Sequence, residues 1–213
     1  MASKTLLHTP ALTHEKSLKT LVENRTVYSL NNCELNLFET YEASQLVPLK
    51  FNDLVVTSML RGKKVMHLFD EPGFDYLPGE TVVIPSNVGM KIDFPTQCLA
   101  LAIDQTKITE TLHFLNERYP KEGSSQFWQL NYQNYFFYNN VELATTINKL
   151  VKECMSTSIT KDVLADLTLQ ELLIRIIQTQ TAKAIEEGSF KDSNNPIAEV
   201  VEFIRLLLRE NIT

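Results

Sequence analysis

The first half of the chain alternates apolar and polar residues over short segments separated by turns, which is the pattern of β-strands. In residues 98–103, Leu99, Leu101 and Ile103 fall on one side of a strand and smaller residues fall on the other. Strands are also predicted for residues 34–41, 54–59, 64–69 and 81–84. Several short strands at close spacing, from residue 26 to residue 103, predict an antiparallel sandwich or barrel rather than βαβ units.

In the second half of the chain the apolar residues recur every three or four positions, which is the period of an α-helix. Ile108, Leu112 and Leu115 form the apolar stripe of a first helix. A second helix is predicted over residues 141–155, with Asn140 as its N-cap. The chain is therefore expected to be α+β, with its strands first and its helices second.

The longest helical pattern covers residues 160–187. The spacing of Thr168 and Glu171 fits a capping box, which allows a break in the helix at that point. Gly188 is predicted to end the helix. A last amphipathic helix is predicted to begin at residues 195–196, where Asn is the cap and Pro is the first helical residue.

The charge balance argues against direct binding of nucleic acid. The chain has 26 acidic and 20 basic residues and a formal net charge of −6, whereas phosphate-binding surfaces are rich in Lys and Arg. The aromatic-rich segment 127–138 has no basic residues with it. This segment is therefore interpreted as a loop that packs across the strands and helices, rather than as a platform for stacking bases.

The cysteines and the terminal segments indicate a soluble protein of the cytoplasm. Cys33, Cys98 and Cys154 are widely spaced and odd in number, so they fit buried free thiols better than a disulfide framework. The N-terminus lacks the pattern of a secretory leader. No segment approaches the roughly 20 apolar residues that a membrane-spanning helix needs.

The candidate chemistry does not favour an enzyme. A metal-dependent barrel needs two or three His, usually with a carboxylate, on inward-facing strand positions. Of the four histidines only His67 falls in the strand region, and no His-x-His pair occurs. The G-x-S-x-G elbow and the glycine-rich phosphate loops are also absent. We therefore expect no catalytic residue, no metal and no cofactor.

A pocket between the strands is the remaining candidate for a functional site. Cys98, Ala100 and Ala102 form a face of small residues. If that face points inward, it leaves room for a small, mostly apolar ligand opposite larger side chains of residues 64–69. The predicted ligand-binding residues are Val65, His67, Phe69, Tyr76 and Cys98. The alternative is a filled core, and the pattern does not decide which face points inward.

The third helix is apolar around most of its circumference, so it has to be covered on more than one side. A second copy of the chain can supply this cover, because two-fold dimers often bury such surfaces. The predicted dimer contacts lie in residues 141–155 or 168–185, and the central ones are Leu169, Leu172, Leu173 and Ile176. The alternative is that the helices bury one another within one chain.

The order of several short motifs resembles the AraC/XylS transcription regulators, in particular their N-terminal domain. The residues that carry the resemblance are the Gly-Lys-Lys at 62–64, the Tyr-Leu-Pro-Gly at 76–79, the Thr-Val-Val-Ile-Pro at 81–85, the strand 98–103 and the Glu-x-x-x-Arg of Glu171 and Arg175. The resemblance covers most of residues 26–177. The turn and strand at 78–87 also resemble the sequence pattern of a cupin, although Val88-Gly89-Met90 stands where a metal cupin often has His.

The resemblance implies a cupin-like β-barrel of the double-stranded β-helix type over residues 1–104, followed by a helical dimerisation region over 105–190. Residues 191–213 are expected to be a linker and the helix that leads to an AraC-type helix-turn-helix domain, which this chain lacks. The implied function is effector sensing and homodimerisation in a DNA-binding regulator, with DNA contacted only by the missing domain. A stand-alone cupin-like binding protein, or a metal-dependent cupin enzyme, is the alternative.

Overall fold

A computed structural model describes most of the chain and shows an α+β fold. The described residues are 23–40, 47–68, 72–92, 96–121, 127–132, 135–138 and 140–192. Strands occupy the first half and helices the second, as the sequence pattern predicts. None of the described helices contains a stretch that is both long and apolar enough to cross a lipid bilayer.

Nine strands of the described part precede the first helix. They are β1 (Glu23–Ser29), β2 (Cys33–Thr40), β3 (Val47–Lys50), β4 (Leu54–Gly62), β5 (Lys64–Met66), β6 (Phe74–Tyr76), β7 (Glu80–Ile84), β8 (Gly89–Ile92) and β9 (Thr96–Ile103). The second half consists of α1 (Gln105–Arg118), a short strand β10 (Phe136–Tyr138), α2 (Val141–Cys154) and α3 (Lys161–Asp192). The predicted lead-in helix at residues 195–196 lies outside the described residues.

All strand pairs in the described part are antiparallel. The main sheet has the order β1-β2-β9-β4-β7-β10, and β3–β8 and β5–β6 form two separate pairs. The antiparallel α+β class is therefore confirmed. Hydrogen bonds between the described strands do not close a complete barrel, since β1 and β10 each have one neighbour in the main sheet.

The main sheet has two different faces because successive side chains of a strand point in opposite directions. We call the side that packs on the helices the helix face; its strand residues are Leu35, Leu37, Leu54, Val56, Val83, Leu99, Leu101 and Ile103. We call the opposite side the inner face; its buried apolar residues are Phe38, Val55, Met59, Val82, Ile84, Cys98, Ala100 and Ala102. Met66, Leu68 and Tyr76 pack against the inner face.

The first two helices each begin at a capping side chain, and α2 begins where the sequence predicts. Asp104 caps α1 by accepting a hydrogen bond from the Thr106 backbone N–H at 2.6 Å. Asn140 caps α2 in the same way, and its Oδ1 lies 3.0 Å from the Leu143 nitrogen. These side chains satisfy backbone donors that the helix itself cannot pair.

The third helix is longer than predicted. It runs without a break past Thr168 and through Gly188. Thr168 is buried and its Oγ1 has no hydrogen-bond partner among the described residues, so it does not act as a cap. A glycine inside a helix costs only about 1 kcal/mol relative to alanine, and Gly188 does not end α3.

The four residues predicted to make the dimer contact are part of the core of a single chain. Leu169, Leu172, Leu173 and Ile176 are buried, and they belong to the same cluster as the helix face of the sheet. This position corrects the prediction. The sequence shows that these side chains need cover, and the chain's own sheet and α2 provide it.

The Glu171–Arg175 motif joins two helices. Arg175 contacts Glu171 at 2.9 Å within α3 and Glu142 of α2 at 2.8 Å. Lys149 of α2 lies 3.4 Å from Glu171. The hydrogen bond from Arg175, more than the charge of Lys149, holds the pKa of Glu171 below its ordinary value. This motif therefore fastens α2 to α3.

Part of the aromatic-rich segment 127–138 forms β10, which pairs with β7 at the edge of the main sheet. The predicted packing across strands and helices is observed: Phe137 is buried in the helix-face cluster, and Phe136 packs against the inner-face cluster. The Lys183 Nζ of α3 donates to the Phe136 carbonyl at 2.7 Å. Gln180, also of α3, exchanges two hydrogen bonds with the Asn131 backbone.

Candidate functional site

The inner face of the sheet carries the small residues that suggested a pocket. Cys98, Ala100 and Ala102 of β9 all belong to the inner-face cluster, whereas Leu99, Leu101 and Ile103 face the helices. The structure therefore shows which side of β9 faces the helices, which the sequence pattern leaves open. The small side of β9 faces β5 and β6, and the large side is buried under α2 and α3.

Four polar side chains lie among the buried residues at this face. The Lys64 Nζ is 3.7 Å from the Cys98 Sγ. The Tyr76 hydroxyl donates to the Thr57 Oγ1 over a long 3.4 Å, and the Thr57 hydroxyl donates to the Leu99 carbonyl at 2.8 Å. All four side chains are buried. The inner face thus combines an ammonium, a phenol, a hydroxyl and a thiol.

Burial determines the protonation state of Tyr76. Its complete burial raises the pKa well above the ordinary value of 10.0, and nearby Cys98 and Glu80 add to this, although the hydrogen bond with Thr57 acts in the opposite direction. Tyr76 is therefore a neutral phenol, which can both donate and accept a hydrogen bond.

The turn that follows Tyr76 fixes the end of this cluster. Gly79 has φ of 91°, which suits a residue without a side-chain β-carbon, and the Glu80 N–H donates to the Leu77 carbonyl at 3.1 Å. The Leu77 N–H in turn donates to the Glu80 carboxylate at 2.6 Å. Burial raises the pKa of Glu80 despite that hydrogen bond, and the charge of Asp75 raises it further. The Pro-Gly-Glu motif therefore builds a rigid turn beside β6 and β7.

The five predicted ligand-binding residues fall into three groups. Tyr76 and Cys98 are brought together on the inner face. Val65 and His67 are only partly buried, because Met66 and Leu68 occupy the inward positions of this segment. Phe69 lies outside the described residues. The His67 ring packs close to Gly73, where an added β-carbon would lie 2.5 Å from its Cε1. Ligand contact by Val65 and His67 stays a prediction, and the structure places Met66 and Leu68 on the inward side of this segment.

The sequence analysis did not select Lys64 and Thr57. The signal was present, because Lys64 occupies the same alternating side as Met66 and Leu68, and Thr57 the same side as Val55 and Met59. A lysine at the start of a strand is usually exposed. The pattern alone therefore gave no reason to place Lys64 inside.

A cavity lies between the β1–β2 turn and the start of α3, and it has a volume of about 300 Å³. It is lined by Leu30, Asn31, Asn32, Cys33, Asp162, Val163, Ala165, Asp166, Leu167 and Leu169. Asp166 accepts hydrogen bonds from Asn32 and from Lys107, both at 2.7 Å. The side chains of Asn32 and Asp166 at this cavity are therefore already paired with each other.

The three cysteines are free and buried, as predicted. Cys33, which lines the cavity between the β1–β2 turn and α3, contacts Cys154 at the end of α2. A hydrogen bond with Cys33, followed by burial, raises the pKa of Cys154 far above its ordinary value. Cys154 is therefore a thiol and not a thiolate nucleophile. Within the described part of the chain, no group of three or more His, Cys, Asp or Glu side chains could hold a metal ion.

Comparisons with known proteins point to one family. A protein-family model for the AraC-type transcriptional regulator N-terminus matches residues 33–184. Among solved structures, this chain is similar to a cupin superfamily protein from Desulfitobacterium hafniense, with 13% identity over 39% of this chain and 78% of that one and a TM-score of 0.35. An RmlC-like cupin from Methanocaldococcus jannaschii has 20% identity over 41% and 86% of the two chains, with a TM-score of 0.33. A putative mannose-6-phosphate isomerase from Ralstonia eutropha has 12% identity over 46% and 98%, with a TM-score of 0.38. No curated protein sequence matches this chain.

Proposed function

Because this chain belongs to the family of AraC-type transcriptional regulator N-termini, we propose that it is the effector-sensing and dimerisation domain of a DNA-binding transcription regulator. A small molecule binds on the inner face of the main sheet. Its occupancy changes how two copies present DNA-binding domains to two half-sites. DNA contact belongs to a separate domain, and such a regulator acts in the bacterial cytoplasm.

The observation that carries this proposal is the difference between the two faces of the main sheet. The helix face is covered by α2 and α3 of the same chain, and it forms a continuous apolar core. The inner face combines small apolar side chains with a cluster of buried polar groups. A concave apolar surface with a few convergent polar groups is typical of small-molecule sites.

The proposal is for a binding protein and not an enzyme. His67 is partly buried and lies on the opposite side of its segment from the inward-pointing Met66 and Leu68. The inner-face thiol of Cys98 has the ammonium of Lys64 beside it, without a histidine base among the described inner-face residues. These features suit recognition of a ligand better than activation of a nucleophile.

Dimerisation is proposed through the exposed side of the first turns of α3. Val163 and Leu167 are 63% and 59% exposed, and the neighbouring Leu164 and Ile159 are also exposed. Val163 and Leu167 lie one turn apart on α3, with Leu164 beside them and Ile159 just before the helix, so a second copy can bury them as one surface. This surface replaces the four buried residues that the sequence suggested.

The dimer surface is tested with Leu167→Glu in sedimentation-velocity experiments over a range of protein concentrations. The expected result is a folded monomer, because a carboxylate in this surface opposes its burial. Thr109→Glu, on the exposed side of α1, is the matched control and should leave the dimer unchanged. A Leu167→Glu protein with unchanged dimer affinity would contradict this surface.

The effector site is tested by thermal-shift screening of a metabolite library against the purified chain, supported by mass spectrometry of co-purified small molecules. The expected result is at least one compound that raises the melting temperature and no longer binds to Ala100→Phe, whose new ring occupies the inner face. Ala182→Phe, on a partly exposed position of α3, is the control and should keep binding. Binding that survives Ala100→Phe, or a library without any stabilising compound, contradicts the proposal.

A further inference from the structure

We infer that the inner face takes a ligand with a carboxylate group and an apolar body, and that the carboxylate binds to the Lys64 ammonium. This inference rests on the proposed effector site and specifies the class of its ligand. It is carried by the burial of Lys64, by the absence of a carboxylate partner in the described residues, and by the chemistry of its neighbours.

Lys64 is a buried lysine without an ion pair in the part of the chain that the structure describes. The residue is 3% exposed. Its Nζ contacts the Cys98 Sγ at 3.7 Å, and a thiol is a weak acceptor. An ammonium that is removed from water and left without a counter-charge is costly to the folded state. An anion bound on the inner face would compensate the buried charge of Lys64.

The other buried lysine of the described chain shows the usual solution. Lys107 is 5% exposed, and its Nζ lies 2.7 Å from the Asp166 carboxylate. The fold thus supplies an acidic partner to the lysine beneath α3, whereas the described residues supply none to Lys64. The two lysines have almost the same burial and differ in this one respect.

The neighbours of Lys64 suit the rest of a carboxylate ligand. The Tyr76 phenol is neutral, and its bond to Thr57 is long at 3.4 Å, so the hydroxyl can turn to donate to a ligand oxygen. One carboxylate oxygen then binds the ammonium while the other accepts from the phenol. The buried apolar residues of the inner face, which include the small Ala100 and Ala102, would pack against a hydrocarbon body.

The first experiment measures the melting temperature of Lys64→Met in the ligand-free chain. The expected result is an increase of about 2–4 °C or more, because the substitution removes an uncompensated charge from the interior. Lys107→Met is the matched control and should melt at a lower temperature, because it leaves Asp166 without its cation. A decrease for Lys64→Met similar to that of Lys107→Met would mean that Lys64 has a structural counter-charge, and would overturn the inference.

The second experiment compares aliphatic and aromatic monocarboxylates with their primary amides, for example benzoate with benzamide and octanoate with octanamide. At least one carboxylate should stabilise the wild-type chain while its amide does not, and Lys64→Met should weaken that binding about tenfold or more in calorimetry. Equal binding of acid and amide, or unchanged binding to Lys64→Met, overturns the inference but leaves the effector site standing. If no carboxylate binds, neutral compounds decide between the two proposals: a neutral ligand that Ala100→Phe excludes overturns only the inference, and the lack of any ligand overturns both.

Discussion

The two faces of the main sheet are made from the same strands but have opposite kinds of core. The helix face packs large aliphatic residues against α2 and α3, and the Ser58 and Thr81 hydroxyls of this face pair with each other at 2.8 Å. The inner face has small side chains, a long hydrogen bond and a lysine that contacts a thiol. The helix face is therefore an apolar core between the sheet and the helices, whereas the inner face holds the buried polar groups on which the proposed ligand site rests.

The largest effect is expected on the helix face. Leu173→Ala removes a fully buried side chain between α3 and the sheet, so the free energy of unfolding should fall by about 2–5 kcal/mol. Gln178→Ala, five residues later and exposed, should change it by less than about 0.5 kcal/mol. Urea denaturation measures both values. Similar losses for the two variants would show that Leu173 is not part of the chain's own core.

A matched pair of alanines separates the faces more directly. Ala144→Leu adds volume to the helix-face core and should lower the free energy of unfolding by about 1–3 kcal/mol. Ala100→Leu adds the same atoms to the inner face, where the loss should be less than half as large because the surrounding side chains are small. Equal losses in urea denaturation would indicate that both faces are filled to the same density.

The ion pair beneath α3 predicts a pH dependence that belongs to the helix side of the molecule. Burial alone would raise the pKa of Asp166, but the hydrogen bonds from Lys107 and Asn32, and the charge of Lys107, outweigh it and lower the pKa below 3.8. The resulting stability is present above that ordinary value and is lost as the pH falls through the lowered one.

Asp166→Asn should therefore cost about 1–2 kcal/mol at neutral pH, a value reduced for the partial exposure of Asp166 to solvent. The deficit should shrink as the pH falls below the pKa of Asp166, when both proteins carry a neutral group at this position. Denaturation curves recorded between pH 7 and roughly pH 3 measure this. A deficit that does not change with pH would show that the charge of Asp166 contributes nothing.

The smallest effect is expected for a hydroxyl on the inner face. Tyr76→Phe removes a long hydrogen bond and should cost less than about 1 kcal/mol. Ser58→Ala on the helix face should cost more, about 1–3 kcal/mol, because it leaves the buried Thr81 hydroxyl without its 2.8 Å partner. Thermal unfolding of the two variants side by side gives this order. The reverse order would mean that the inner-face network is the more tightly bonded of the two.

Local patterns predicted much of the fold. The alternation in β9 and the cap at Asn140 depend on neighbours in the sequence, and they appear in the structure as strand faces and a helix start. The strand β10 could not be found in this way, because it forms only by pairing with β7, more than 50 residues earlier. The sequence also indicated that Leu173 must be covered, but sequence pattern does not say whether the cover is the chain's own sheet or a second copy.

The candidate site was predicted only in part, for a related reason. Tyr76 and Cys98 were selected and lie on the inner face, where they await the ligand tests described above. Val65 and His67 were selected because the side of the strand was unknown, and the choice between two sides of an alternating segment depends on which of them meets β9. Lys64 was not selected because its burial depends on which side of residues 64–68 faces β9. Composition alone does not indicate that a lysine is buried.

Hydrogen bonds hold the long helix α3 against the rest of the fold at two places. Near its start Asp166 binds Lys107 and Asn32, and some 15 residues later Gln180 binds the Asn131 backbone and Lys183 binds the Phe136 carbonyl of β10. A helix held this way cannot slide by one turn or rotate about its axis without breaking several of these bonds at once. A movement of the sheet would therefore move α3 as a rigid body. The C-terminal end of α3 would then be displaced further than the strands are.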